Sequence, residues 1–349
     1  MKTKVLIIED NPVVRKFYEK ALVHLDFVEL VGMATNGEEG LSLLHSKHPD
    51  VILCDLNMPV MDGFEFTRRA MEERPTPILI VSDLVQEENE TNRYKVLDLG
   101  AIDILPKPRA GGNLEWLTSD LERKINILKR VVVFSRKPEN KKVKEKNSEH
   151  TPFTSIKTNL EKYEIVAIGA STGGPQAYQT IFSQIDKNFA LPIVCAQHIS
   201  EGFTNSLISW LRSYTQIPIQ YAKDGDGLNP GEIYFPPDGY HLFVEKKRLR
   251  LDPDKGDHRH KPSVDYLFQS IASSYKDKCI AVLLTGMGAD GAIGLGQIYK
   301  EGGYTIAQDE SSSIVYGMPR VAKENGSVTE VLSLDKIASR LLLLGGSRT

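Results

Sequence analysis

Short aliphatic runs alternate with longer amphipathic stretches over residues 1–128: segments 5–8, 51–54, 78–81 and 101–104 read as strands, and the segments between them as helices. Strand and helix in alternation place successive strands parallel, with helices covering the sheet. The periodicity is lost between Arg136 and Thr158, where Lys, Asn, Ser and Pro gather, and that stretch reads as a linker. It resumes from Tyr163, with 165–168, 192–196 and 280–284 as buried strands. A Gly/Pro-punctuated stretch between about 218 and 251 interrupts this second half, and its short runs at 233–235, 241–244 and 249–251 read as antiparallel strands. The run 341–344 closes a helix beginning near Asp335, and no repeat of fixed period occurs. The expected fold is α/β, with two doubly wound parallel-sheet domains at 1–128 and 161–349, the second carrying a short antiparallel insertion, joined by a basic flexible linker at 129–160.

A length of 349 residues agrees with two domains, since it exceeds what one hydrophobic core usually supports. The net charge of −3 leaves no global field drawing the chain to nucleic acid or anionic lipid. Between Arg123 and Lys146 ten Lys/Arg face two Glu, but no aromatics are interleaved for base stacking, so the stretch reads as a solvated helix end running into a tether. No nucleic-acid partner is expected, and with no helix-turn-helix signal a transcription factor is disfavoured. The opening MKTKVLIIED is too short in apolar residues for a signal-peptide core, and no run approaches the ~20 residues that span a bilayer. A cytoplasmic protein without direct membrane insertion is expected. Cys54, Cys195 and Cys279 lie in or beside strand-like runs without C-x-x-C spacing, which points to reduced core packing and not to a disulfide framework or zinc.

Candidate chemistry falls at the strand ends. In the first half Glu9 and Asp10 end one strand, Asp55 and Ser82 end two others, and Lys107-Pro108 follows the last. Carboxyl ends of parallel strands converge on one crevice, so three carboxylates, a hydroxyl and an ammonium would meet. Each alone reads more readily as a cap or a solvated loop group. Together they repel unless a hard divalent cation such as Mg²⁺ intervenes, and Asp55 could then attack phosphorus while Ser82 and Lys107 contact the transferred oxygens. The segment DLNMPVMDGFEF at 55–66, with these residues, resembles the phosphoacceptor receiver domain of bacterial two-component response regulators. The resemblance implies a flavodoxin-like fold, phosphorylation at Asp55, a metal held by Glu9, Asp10, Asp55 and the Asn57 carbonyl, and a switch pair Ser82 and Lys107. One departure is Ile104, where such domains usually carry a Tyr or Phe that rotates on phosphorylation.

In the second half a strand runs into GASTGGP at 169–175, which leaves Ser171 at the start of a helix. The turn suits a phosphate cradle as well as a nucleophile, though no Gly-Lys-Ser/Thr ending makes it a Walker loop. Two further strand ends supply His198 and, in TGMGADG at 285–291, Asp290. A serine needs a base, and that base a carboxylate to orient it. The order Ser, His, Asp differs from that of α/β-hydrolases, and the backbone N–H of Met287 could face an oxyanion. His198 also reads as a structural histidine, and Asp290 and Ser171 as caps. GASTGGP, QHI at 197–199, HKPSVDYLFQSIA at 260–272, LLTGMGADGA at 283–292 and IAQDESSSIVYGMPR at 306–320 together resemble the catalytic domain of the chemotaxis protein-glutamate methylesterases, also protein-glutamine glutaminases.

That resemblance implies a Rossmann-like domain with Ser171 as nucleophile, His198 as general base and acid, and Asp290 as its orienting carboxylate. Thr172, Met287 and His260 become supporting residues, with His258 two positions from the family's histidine; His241, in YFPPDGYHL at 234–242, is a further site candidate. It further implies a phosphorylation-activated hydrolase that removes methyl esters from chemoreceptor glutamates and deamidates receptor glutamines through an acyl-enzyme. Its partners would be the methyl-accepting chemoreceptors and a chemotaxis histidine kinase, with Mg²⁺ in the receiver and no cofactor for hydrolysis. A phosphorylation-gated adaptor and a nucleotide-binding output domain are the competing readings.

Overall fold

The computed structural model describes residues 1–83, 93–108, 114–133, 162–253 and 261–346. The first sheet has five parallel strands, β1 (Thr3–Ile8), β2 (Val28–Ala34), β3 (Val51–Asp55), β4 (Ile78–Ser82) and β5 (Asp103–Pro106), in the order β2-β1-β3-β4-β5. The central strands β3 and β4 are buried at every position, which the unbroken runs VILCD and ILIVS require of strands covered on both faces. Helices α1 (Pro12–Val23), α2 (Gly37–Lys47), α3 (Gly63–Glu73), α4 (Lys95–Asp98) and α5 (Leu114–Leu128) surround the sheet. Asn11, Asn36 and Asp62 start the first three, each side chain accepting from a backbone N–H of the opening turn.

The second sheet has seven parallel strands: β6 (Ile165–Ala170), β7 (Ile193–Gln197), β8 (Ile219–Tyr221), β9 (Ile233–Phe235), β12 (Cys279–Leu283), β13 (Tyr304–Gln308) and β14 (Glu330–Leu332). Their order is β14-β13-β12-β6-β7-β9-β8, and β10 (His241–Glu245) and β11 (Arg248–Asp252) form a separate antiparallel hairpin. Helices α6 (Gly174–Phe182), α7 (Thr204–Arg212), α8 (Val264–Tyr275), α9 (Ala292–Lys300), α10 (Met318–Glu324) and α11 (Leu334–Gly345) complete the unit. The chain leaves β6 toward β7 on one side and returns to β12 on the other, so a topological switch point lies at the carboxyl end of β6. The expected antiparallel insertion is confined to β10 and β11. Residues Ile233–Phe235, expected there, join the main sheet in parallel between β7 and β8, because all three are buried and fit a strand covered on both faces.

Cys54, Cys195 and Cys279 are buried free thiols, and burial pushes each thiol upward. Of the linker expected at 129–160, residues 134–160 lie outside the described residues. Among the described residues no helix is long and apolar enough to cross a membrane.

The two halves of the chain meet through specific contacts between their helices and loops. Asp98, at the end of α4, accepts from Gln179 Nε2 at 3.2 Å, Trp210 Nε1 at 3.3 Å and the Tyr214 hydroxyl at 2.6 Å. Gln176 Nε2 donates to the carbonyls of Ala101 and Ile102, and the rings of Tyr94 and Trp210 lie 5.7 Å apart.

Candidate active site and phosphoacceptor site

At the carboxyl end of the first sheet, ligand oxygens of Glu9, Asp10 and Asp55 lie within 4.8 Å of one another. Lys107 Nζ reaches Glu9 Oε1 at 3.0 Å and Asp55 Oδ2 at 2.8 Å, and its backbone N–H donates to the carbonyl of Ser82, a buried residue ending β4. Burial, then the Asp55 charge, push the Glu9 carboxyl up to about 7. Burial also raises Asp55 against the pull of Lys107, while the two carboxylates outweigh burial and hold the Lys107 ammonium above its ordinary range. The buried Glu9 Oε2 has no hydrogen-bond partner. A hard cation fits this donor set, since it would take up that oxygen and offset the excess of negative charge. Ile104 is buried in β5.

At the second sheet, the register pairs Ala170 with Gln197, so Ser171 and His198 follow paired positions on adjacent strands, and the His198 N–H donates to the Ala170 carbonyl at 3.0 Å. Ser171 is buried, and its N–H donates to the Thr285 carbonyl at 3.0 Å, which draws the exit of β12 to the same rim. The turn at Gly286 approaches so closely that a Cβ there would stand 2.6 Å from Ser171 Cβ. Met287, next on that turn, is 40% exposed.

His198 Nε2 lies 2.6 Å from Asp290 Oδ2. Asp290 also accepts from Ser263 Oγ at 3.0 Å and from the N–H groups of Val264 and Asp265 at 2.8 and 2.9 Å, so it caps the start of α8. Burial alone would raise its carboxyl; His198 and these backbone donors outweigh burial and hold it well below the usual carboxylate range. Asp265 in turn accepts from Gly294 N at 2.7 Å in the opening turn of α9, so the two helices exchange aspartates. Burial, followed by the neighbouring Asp290 charge, pushes the Asp265 carboxyl up to about 6.

Ser171, His198, Asp290, Thr172 and the 286–288 turn are thus brought to one edge. His241 is buried behind it, its Nδ1 accepting from Ser263 N at 3.1 Å. His258 and His260 lie outside the described residues. Thr172 Oγ1 donates to Asp103 Oδ2 of β5 at 3.1 Å. A cavity of about 780 Å³ opens between the sheets, with His198, Glu201 and Asp238 on one side and Asp103, Ile104 and Arg123 on the other. Ser263 and Asp265 carried no individual role in the sequence reading. Ser263 just before an apolar run, with Asp265 in the first turn that follows, is a helix-start signal that could have shown them.

The sequence matches the family model for CheB methylesterase over residues 166–341 and that for the response regulator receiver domain over residues 5–116. It is 38% identical to "Protein-glutamate methylesterase/protein-glutamine glutaminase 1" of Syntrophus aciditrophicus, over 99% of each chain. It is also 38% identical to a protein of Halalkalibacterium halodurans named protein-glutamate methylesterase/protein-glutamine glutaminase, over 98% of each. Among solved structures, the Thermotoga maritima CheB methylesterase catalytic domain covers 52% of this chain with 98% of its own length, at 38% identity and a TM-score of 0.50. With both halves matched, the chain belongs to the CheB methylesterase family, its methylesterase domain preceded by a response regulator receiver domain.

Proposed function

We propose that this chain hydrolyses the γ-methyl esters of glutamates on chemoreceptors, and deamidates receptor glutamines, in a methylesterase domain near 161–349 governed by a receiver near 1–128. The observation that carries the reading is the 2.6 Å His198–Asp290 pair on the rim that also bears Ser171. Because Asp290 takes Nε2, the nitrogen that receives the Ser171 proton is Nδ1. Ser171 Oγ attacks the ester carbonyl carbon as His198 takes its proton. The tetrahedral oxyanion is met by the Met287 N–H, with Thr172 in support. Collapse expels methoxide, which leaves as methanol with the proton from His198. Water activated by the same imidazole then cleaves the acyl-enzyme to free glutamate and Ser171. A glutamine side chain loses ammonia by the same route. Asp290, held ionised, fixes the ring and stabilises the imidazolium.

In the receiver, Glu9, Asp10, Asp55 and the Asn57 carbonyl would hold Mg²⁺, which when bound offsets the carboxylate charge during phosphoryl transfer. Asp55 accepts the phosphoryl group from a histidine kinase, and Lys107 and Ser82 contact its oxygens. The contacts of Asp98 and Asp103 with the catalytic half support a closed resting arrangement, which phosphorylation shifts toward an open one. Such a substrate calls for a cytoplasmic enzyme, and that is the location proposed. The test is incubation with methyl-labelled receptor membranes, with and without a small-molecule phosphodonor, beside Ser171→Ala. Labelled methanol from wild type alone, increased by the phosphodonor, is expected. Equal release by Ser171→Ala refutes the nucleophile, and no response to the phosphodonor refutes the gating.

A further inference from the structure

We propose that Gln197 is a positioning residue that sets the spacing of nucleophile and base by tying their two loops together. The inference rests on the esterase reading of this site. Gln197 ends β7 and is 3% exposed. Its Nε2 donates to the Ser171 carbonyl at 2.9 Å and to the His198 carbonyl at 2.8 Å. A carboxamide nitrogen has two protons, and both go to the main chain of the candidate nucleophile and base. The β6–β7 register ends at the pair Ala170 and Gln197, after which the two chains leave the sheet. The amide therefore carries the pairing one residue past the last rung, to the two residues whose separation decides proton transfer.

The amide orientation is fixed by chemistry. Turned over, it would set Oε1 against two carbonyl oxygens. As it stands, Oε1 is buried without a partner and lies against Gly174, where a Cβ would stand only 2.0 Å from it. A side chain that leaves its own acceptor unsatisfied is poorly suited to simple space filling, which an apolar residue of the same length would do better. What it supplies is the tie.

Gln197→Met in the full chain keeps the volume and removes both donors. Three quantities decide: kcat and KM for methanol release from methyl-labelled receptor membranes, the rate at which a fluorophosphonate labels Ser171, and the melting temperature. Expected are a fall of about tenfold or more in kcat and in labelling rate together, with KM within about twofold and melting close to wild type. Gln197→Glu is the second variant: equal in shape, it has no proton for either carbonyl once ionised, and it should lose kcat likewise. Wild-type kcat and labelling in either folded variant overturns the proposal. So does a rise in KM at unchanged kcat, which would make Gln197 a substrate contact. A wild-type chain that releases no methanol refutes the esterase reading instead, and the labelling arm still decides the role of Gln197.

Discussion

Asp290 gathers four donors: the His198 imidazole, the Ser263 hydroxyl and two backbone N–H groups of α8. The same contacts that keep it ionised also fix its plane, so the helix start acts as the jig for the proposed triad. Asp290→Asn leaves the shape and reverses the hydrogen-bonding preference toward His198. We expect kcat to fall by about 10⁴-fold with KM little changed, measured as methanol release. Gly286→Ala would thrust a methyl group against Ser171 Cβ, and a loss of about 10²-fold in the same assay is expected from a displacement on the order of 1 Å. Asp265 ionises near 6 in the folded chain, against 3.8 for the ordinary carboxyl. Between those values the folded chain holds a proton that the unfolded chain has shed, so this contribution to stability is lost as pH rises through the window. Asp265→Asn, still able to accept from Gly294, should therefore melt higher than wild type at about pH 7.5 and level with it near pH 4; the reverse order would contradict the assignment. The placing of Ser171, His198 and Asp290 on one rim was legible because glycines and strand ends frame them. Ser263, Asp265 and Gln197 were not assigned a part, because a helix-start signal at 263–265 or a strand end at 197 does not name the groups they bond 26–29 residues away in sequence.

The elements that present the site are β6, β7 and β12, all continuous apolar runs readable as buried strands. Tyr178 of α6 braces β6 and β7: its buried hydroxyl lies 3.1 Å from the Ile168 carbonyl and 3.2 Å from that of Ala196. Tyr178→Phe is expected to cost about 1 kcal/mol, a melting shift of about 2–4 °C, with kcat preserved; a calorimetric scan reads the first and methanol release the second. Strands β2, β8 and β14 were harder to read. β2 is an edge strand with exposed and half-buried positions, and β8 and β14 have three residues each, too few for a period to show. The 101–104 run was displaced to Asp103–Pro106, since Ala101 and Ile102 precede the strand and receive the Gln176 amide. For Ile233–Phe235 the Gly and Pro flanks suggested a hairpin, and burial on both faces decided otherwise.

Across the whole molecule, the two halves meet through contacts that no local pattern contains. Asp98 and Tyr214 are 116 residues apart in sequence, yet the carboxylate accepts the phenol proton at 2.6 Å. Two domains and their order were legible from the break in periodicity, whereas their packing face was not, because it is built from single polar and aromatic residues on separate helices and loops. Hydrogen bonds to a charged group contribute about 1.5–3 kcal/mol. Asp98→Ala should therefore raise the activity of the unphosphorylated chain by about tenfold and leave the phosphorylated chain unchanged; an unaltered ratio would separate this contact from gating.

The central claim is that Ser171, His198 and Asp290 work as one unit. Its most direct test is the methanol-release rate of Ser171→Ala, His198→Ala and the double variant. Residues acting together lose their catalysis once. The double variant should be no slower than Ser171→Ala, and both single variants should fall by about 10³-fold or more. Losses that multiply in the double variant, or substantial turnover by Ser171→Ala, would contradict it.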